Sequence, residues 1–283
     1  MLKYQLALFY FAFKIATCSC NPEKVKGLEN YRSQSKISKI GKLDIQVDES
    51  SGLARAENDT YWTNNDSGGS NKLFKINKTG NVIDSLEVLQ SQNKDWEELA
   101  KDDKGNIYIG DFGNNGNSRK DLIIYKVNNQ TTEEIRFQYQ DQINFPASKK
   151  NFDCEAFFWF KGQLHLFSKS REENNKVTKH YMLPDAAGNY TISPENEFPL
   201  EQQVTAADIS PDQQTFILLT YGKLLFFGIE NETIDFKNPL ACIKTKRKQT
   251  EAVIFDSNES ILFTNEQREL FQIKLDHKVV LNN

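Results

Sequence analysis

From Glu49 onward the apolar residues fall in short runs that alternate with polar ones, and Gly, Asn, Asp or Pro interrupts them at close intervals. Successive side chains of a strand point to opposite faces, so this pattern predicts β-strands and leaves no long helical stripe. One layout recurs. ESSGL at Glu49, DWEEL at Asp95, DCEAF at Asp153, TAADI at Thr205 and QTEAV at Gln249 each open a unit, at separations of 46, 58, 52 and 44 residues. A turn follows each opening (ENDT, DKGN, FKGQ, SPDQ, DSNE). A second strand comes next (TYWTN, NIYIGD, LHLFSK, TFILLTY, SILFTN), then a third (KLFKI, LIIYKV, KHYML, LLFFGI, ELFQI). VIDSLEV, EIRFQY and TISPENEF supply a fourth in the first three units.

Four short antiparallel strands per repeat, at this period, predict an all-β chain: a single β-propeller of four-stranded blades. Five openings predict five blades, or six if residues 36–50 form a degenerate extra one. The last unit ends after three strands. KISKIGKLDIQV, residues 36–47, is the expected fourth, and it would close the ring by pairing the two ends of the chain. Closure removes the exposed sheet edges.

The first residues change the picture of where the protein works. MLKYQLALFYFAFKIATCSC has an early Lys3, an apolar run from Leu6 to Phe13, then small residues before cysteine. A run that short reads as an export signal. Its cysteines point to a lipoprotein signal over residues 1–20, with Cys20 lipidated and Cys18 as the alternative. Residues 21–39 read as a flexible tether, and 40–283 as the propeller. The expectation is a monomer held at the cell envelope by a lipid anchor, on the periplasmic or surface side of an outer membrane. A formal net charge of -4 points away from nucleic acid. Lys244, Lys246, Arg247 and Lys248 form the one dense basic cluster and read as a solvated loop. Cys154 and Cys242 have no metal-ligand spacing; they are either a disulfide or two buried thiols.

Propeller geometry then gathers the polar residues. The innermost strand of each blade lines the central channel, and the second strand returns to the face where the first began. The third residues of the five openings are Ser51, Glu97, Glu155, Ala207 and Glu251, expected at one height around the channel mouth. Asp95, Asp111, Asp153 and Asp208 lie close by, and so do Asn65, Asp66 and Asn114 in the loops NNDSGG and GDFGNNGN. Carboxylates converging on a narrow channel repel one another and call for protons, Arg or Lys partners, or a cation. Oxygen-only donors suit Ca²⁺, with Glu97, Glu155, Glu251, Asp95 and Asp111 as the metal candidates. Trp96 either stacks on a ligand at the mouth or packs between blades. Arg119 and Arg171 either bind an anionic group or neutralise the carboxylates. No nucleophile elbow, phosphate loop or dinucleotide fingerprint appears.

NDSG at Asn65–Gly68, DWEELA at Asp95–Ala100, YIGDFGNN at Tyr108–Asn115, IYKV at Ile124–Val127 and VTAADIS at Val204–Ser210 resemble a group of exported bacterial β-propellers. Members are often lipoproteins, many from Bacteroidetes-like bacteria. The group is similar to the SdiA-regulated and phytase-esterase-like propellers, and more remotely to the NHL and gluconolactonase-like calcium propellers. The resemblance implies the same fold over residues 45–275 and a channel metal held by Glu97, Glu155 and Glu251. Ser51 and Ala207 depart from that pattern. The preferred reading is a binding module for an unidentified ligand or envelope protein. The alternatives are a calcium-dependent hydrolase of phosphate esters or lactones, and a structural subunit of an envelope complex. Fold likeness alone does not choose among them.

Overall fold

The computed structural model describes residues 29–30, 36–128, 131–174, 176–245 and 249–275. Cys18, Cys20, most of the expected tether, and Lys246, Arg247 and Lys248 lie outside the described residues. Among the described residues there is no helix, and five separate sheets make five blades.

Blade I holds Ser50–Arg55, Thr60–Asn65, Lys72–Asn77 and Val82–Glu87. Blade II holds Trp96–Lys101, Ile107–Asp111, Leu122–Asn128 and Thr131–Tyr139. Blade III holds Asp153–Phe160, Gln163–Lys169, Val177–Pro184 and Pro194–Pro199. Blade IV holds Val204–Ile209, Thr215–Thr220, Lys223–Gly228 and Pro239–Lys244. Blade V holds Thr250–Ser257, Ser260–Asn265 and Glu269–Lys274, and its outermost strand is Lys36–Lys42 from the other end of the chain. The ring is therefore closed as expected, with five blades and no sixth. That closing strand starts before residue 40, the expected start of the propeller. Glu29–Asn30 also pair, in parallel, with Ala241–Cys242 on the edge of blade IV. Gly188–Ile192 covers the edge of blade II in the same parallel way.

The core is divided among the five blade interfaces. Leu53, Tyr61 and Ile76 of blade I meet Ala252, Ile254 and Leu262 of blade V. Ala54 and Leu73 meet Trp96, Leu99 and Ile109 across the interface of blades I and II. Phe112 and Tyr108 face Phe157 and Leu166 between II and III. In blade IV the strand Thr215–Thr220 sends Phe216 and Leu218 toward blade III, and Ile217 and Leu219 toward blade V. The period of two in the sequence is thus spent on two buried faces, which is why these strands read as almost continuous apolar runs. Each fully buried Phe or Leu contributes about 1.5–3 kcal/mol. Cys154 belongs to the II–III interface and Cys242 to the III–IV interface, and Cys154 is a free thiol, so the two are not joined.

In every blade the innermost strand slips register against the second strand near its start, between Ser50 and Gly52, Trp96 and Leu99, Cys154 and Ala156, Val204 and Ala206, and Thr250 and Val253. A bulge re-aims the extra residue out of the ladder. The residues so placed are Ser51, Glu97, Glu155, Thr205 and Glu251. Four match the sequence expectation. In blade IV the position belongs to Thr205, not Ala207. The sequence alignment slips there by two residues, a shift that keeps every side chain on its own face and leaves the apolar pattern unchanged.

Candidate cation and ligand site at the channel mouth

Three tiers of residues build the mouth. The bulged residues form the first. The residue one step past the partner of each bulge forms the second: Asp66, Lys169, Tyr221 and Glu266, while in blade II that residue is Phe112, buried between blades II and III. The residue two positions before each bulge forms the third: Glu49, Asp95, Asp153, Gln203 and Gln249. A cavity of about 250 Å³ opens among them. Its wall carries six carboxylates, of Glu49, Asp66, Glu97, Glu155, Glu251 and Glu266. Against them stand Lys169 and Arg171.

The two cations are already committed. Lys169, 4% exposed, pairs with the Glu155 carboxylate and donates to the Tyr221 hydroxyl at 3.1 Å. Arg171 grips Asp153 with Nε and Glu155 with Nη2 at 2.8 Å, and it also donates to Asn115. Arg119 pairs with buried Asp111 at 3.0 Å and holds the Gly113 carbonyl at 2.9 Å. Both arginines therefore neutralise carboxylates and brace the loops. Asp111, a metal candidate from sequence, is spent on Arg119 and on the Asp95 backbone N–H at 3.1 Å. Glu155, another, is spent on Lys169 and Arg171. Glu251 stands apart from the other candidates, 3.4 Å from the Tyr221 hydroxyl that donates to it.

What remains converges on one spot. Carboxylate oxygens of Asp66, Asp95 and Glu97 all lie within 4.8 Å of one another. Glu97 and Asp95 flank Trp96 on the bulged strand, and Asp66 arrives from blade I. The Asn93 side chain fixes the Asp66 segment by donating to the Asn65 and Asp66 carbonyls at 3.1 and 3.0 Å. Ser51 Oγ donates to Glu97 Oε2 at 3.2 Å. Behind the group runs Gly113, where a Cβ would sit 2.2 Å from Glu97 Oε1 and 2.4 Å from the Asp95 carboxyl. The second glycine of GDFGNN is there because the backbone passes against both carboxylates.

The charges at this spot are uncomfortable without a partner. Desolvation raises Glu97 well above the usual carboxylate range, and Glu155, Asp66, Asp153 and Asp95 push it further. Desolvation also lifts Asp66 to about 6, with Asp95 and Glu155 adding to it. Asp95 is raised by desolvation, against the pull of Arg119. On the other side of the cavity, desolvation and Glu49 lift Glu266 to about 7. Desolvation raises Glu251 well above its usual range, although Lys169 opposes the shift. The donor set near Asp66 is oxygen only, with no thiol or imidazole, and it suits a hard divalent cation.

The other sequence candidates take structural posts. Trp96 is fully buried, packs on Tyr125 with ring centroids 6.2 Å apart, and donates its indole N–H to the Gln92 carbonyl; it does not line the mouth. Asn114 accepts backbone N–H groups of Ser118 and Arg119 at 2.8 and 2.9 Å, and Asn65 donates to the Gln46 carbonyl, so both brace loops. Asp153 accepts the Asn114 N–H at 2.7 Å beneath Arg171. The residues missed from sequence are Glu49, Lys169, Tyr221 and Glu266. The ends of the second strands, TNND, IGDF, LFSK, LLTY and FTNE, align to reveal three of them in the last column. Deeper in the channel Glu98 accepts the Leu53 N–H at 3.1 Å, and Asp208 accepts the Phe255 N–H at 2.7 Å. Asp208 lies below the mouth, a consequence of the same two-residue slip.

No protein-family model and no curated protein matches the chain. Solved structures do. A putative gluconolactonase is 9% identical over 92% of this chain and 99% of its own, with a TM-score of 0.53. A gluconolactonase from Xanthomonas campestris is 10% identical over 86% of this chain and 91% of its own, with a TM-score of 0.49. A catalytically inactive virginiamycin B lyase from Staphylococcus aureus, solved with quinupristin, is 15% identical over 80% of this chain and 66% of its own, with a TM-score of 0.43. At these identities the likeness concerns the fold alone: the chain is a five-bladed β-propeller similar in architecture to gluconolactonase-like propellers.

Proposed function

We propose that this protein is a binding module whose channel mouth holds a divalent cation, Ca²⁺, and offers the adjoining cavity to a polar or cationic ligand. The observation that carries the reading is the convergence of Asp66, Asp95 and Glu97, three carboxylates without a direct ion pair among the described residues, two of which, Asp66 and Glu97, line the cavity. The ion would cancel their mutual repulsion and present open coordination positions to ligand oxygens. The excess of carboxylates over Lys169 and Arg171 disfavours an anionic ligand such as a phosphate ester.

Millimolar Ca²⁺ is expected to raise the melting temperature by several degrees, as a ligand at about 100 times its Kd adds roughly 2.7 kcal/mol. Glu97→Gln removes a donor, and Gly113→Ala displaces two donors by steric contact. Each is expected to weaken calcium binding by more than about tenfold in calorimetry. Binding should also weaken from pH 8 to pH 5.5. Asp66 protonates near pH 6, Glu97 titrates well above its usual range, and an ion must then displace those protons. Calcium binding that is absent, or indifferent to both substitutions, sinks the reading.

One observation favours a second reading, metal-assisted hydrolysis. Glu266 lines the cavity with its carboxyl lifted to about 7, where a general base works best. Turnover of generic lactones at pH 7 with calcium, abolished by Glu266→Gln while calcium binding persists, is the result expected from a hydrolase. No turnover of any such substrate removes it.

A further inference from the structure

Among the described residues six large apolar side chains stand exposed: Ile45, Ile83, Leu89, Ile143, Phe145 and Met182. Ile83 and Met182 lie within strands. The other four lie on segments that lead from an outermost strand into the next innermost strand: 43–49, 88–95 and 140–152. Four antiparallel strands return the chain to the face where the blade began, so all three segments belong to the mouth face. They enter blades I, II and III in succession. Ile143 is 83% exposed and Ile45 74%. Isolated surface apolar residues need no account, but four on consecutive loops around one cavity mark an interaction surface.

We infer that the mouth face docks a protein segment bearing a Lys or Arg between apolar residues. The cation enters the mouth beside Glu49, Glu251 and Glu266, and its apolar neighbours cover Ile45, Leu89, Ile143 and Phe145. This rests on the binding-module reading above and names its ligand class. Charge complementarity selects the occupant. Lys169 and Arg171 are held by Glu155 and Asp153, so the cavity's remaining carboxylates are unmatched on the Glu49 side. Calcium at Asp66, Asp95 and Glu97 leaves that side lined by carboxyl groups, which an entering cation would hold in their charged form. An anionic lipid surface would be repelled by the same carboxylates. At the outer edge Lys120 sits 4.6 Å from the Phe145 ring, and Lys149 and Lys150 share the loop of Ile143, so an acidic residue on the partner's flank fits there.

The test uses a labelled peptide with a central Arg flanked by Leu, and fluorescence anisotropy with the full chain. Controls carry a central Glu, or Ser in place of Leu. Binding is expected for the first peptide, with at least about tenfold loss for either control. The same loss is expected for the Glu251→Gln, Glu266→Gln double variant and for the Ile143→Ser, Phe145→Ser double variant. The surface serine pair should keep the calcium-induced rise in melting temperature. Calcium binding without peptide binding overturns the docking inference and leaves the cation site standing. Failure of both removes the underlying reading as well. Association with phosphatidylglycerol vesicles that is lost in the serine pair overturns it in favour of a membrane surface.

Discussion

Replacing Lys169 by Met is expected to cost about 3–5 kcal/mol, because it strands a buried carboxylate. The Lys169 and Glu155 side chains are only 4% and 6% exposed, so water cannot take the place of the ammonium. Desolvation pulls the Lys169 pKa down, yet Glu155 holds the ammonium well above its ordinary range. Lys169 therefore stays charged in the folded state despite its burial. Without Lys169 the Glu155 carboxylate keeps only Arg171, which it shares with Asp153, and it faces Glu251 with no cation between them. The melting temperature should fall by roughly 10 °C. Adding Glu155→Gln to Lys169→Met should restore much of the loss, since the cost lies in an uncompensated charge more than in the missing bond. Strictly additive effects in that cycle, or a drop of less than about 2 °C for Lys169→Met, would show that water reaches the pair and that the mouth is more open than described.

Removing residues 1–42 should be nearly as damaging, though no side chain of the site is touched. Lys36–Lys42 is the outermost strand of blade V. Its Ile37 packs on the interface of blades IV and V, and its Ile40 on the interface of V and I. Those two partly buried side chains together account for about 1.5–3 kcal/mol. The deletion also bares the backbone edge of Glu269–Lys274, an invitation to pair with another chain. Expected are a lowered, broadened thermal transition and loss to aggregation, followed by circular dichroism and size-exclusion chromatography. A truncated chain that melts as the full one does would mean that the two ends do not close the ring.

Most strands and the closing segment were legible because each is a local property; the fourth strand of blade IV, Pro239–Lys244, was not, and TISPENEF divides between Gly188–Ile192 on the edge of blade II and Pro194–Pro199 in blade III. A period of two in TFILLT or NIYIGD needs no knowledge of the neighbour it will meet. The glutamates at 97, 155 and 251 were legible for a related reason: they sit at one place in a repeat, and the repeat itself carries the geometry. Blade IV shows the limit. VTAADI can be laid on the pattern with Ala207 or Thr205 at the mouth, and only backbone pairing with Thr220 and Leu219 decides for Thr205.

What the amino-acid sequence determined alone is therefore an all-β ring of five units with acidic residues gathered at one rim. Which acids are free to hold a cation was decided by the tertiary structure. Glu155 and Asp111 find Lys169, Arg171 and Arg119 at short range, whereas Asp66 meets Asp95 and Glu97 across a blade boundary with no direct ion pair to a cation among the described residues. Electrostatic pairing depends on separations of a few ångströms between side chains, and such distances follow from how the blades pack and not from spacing along the chain.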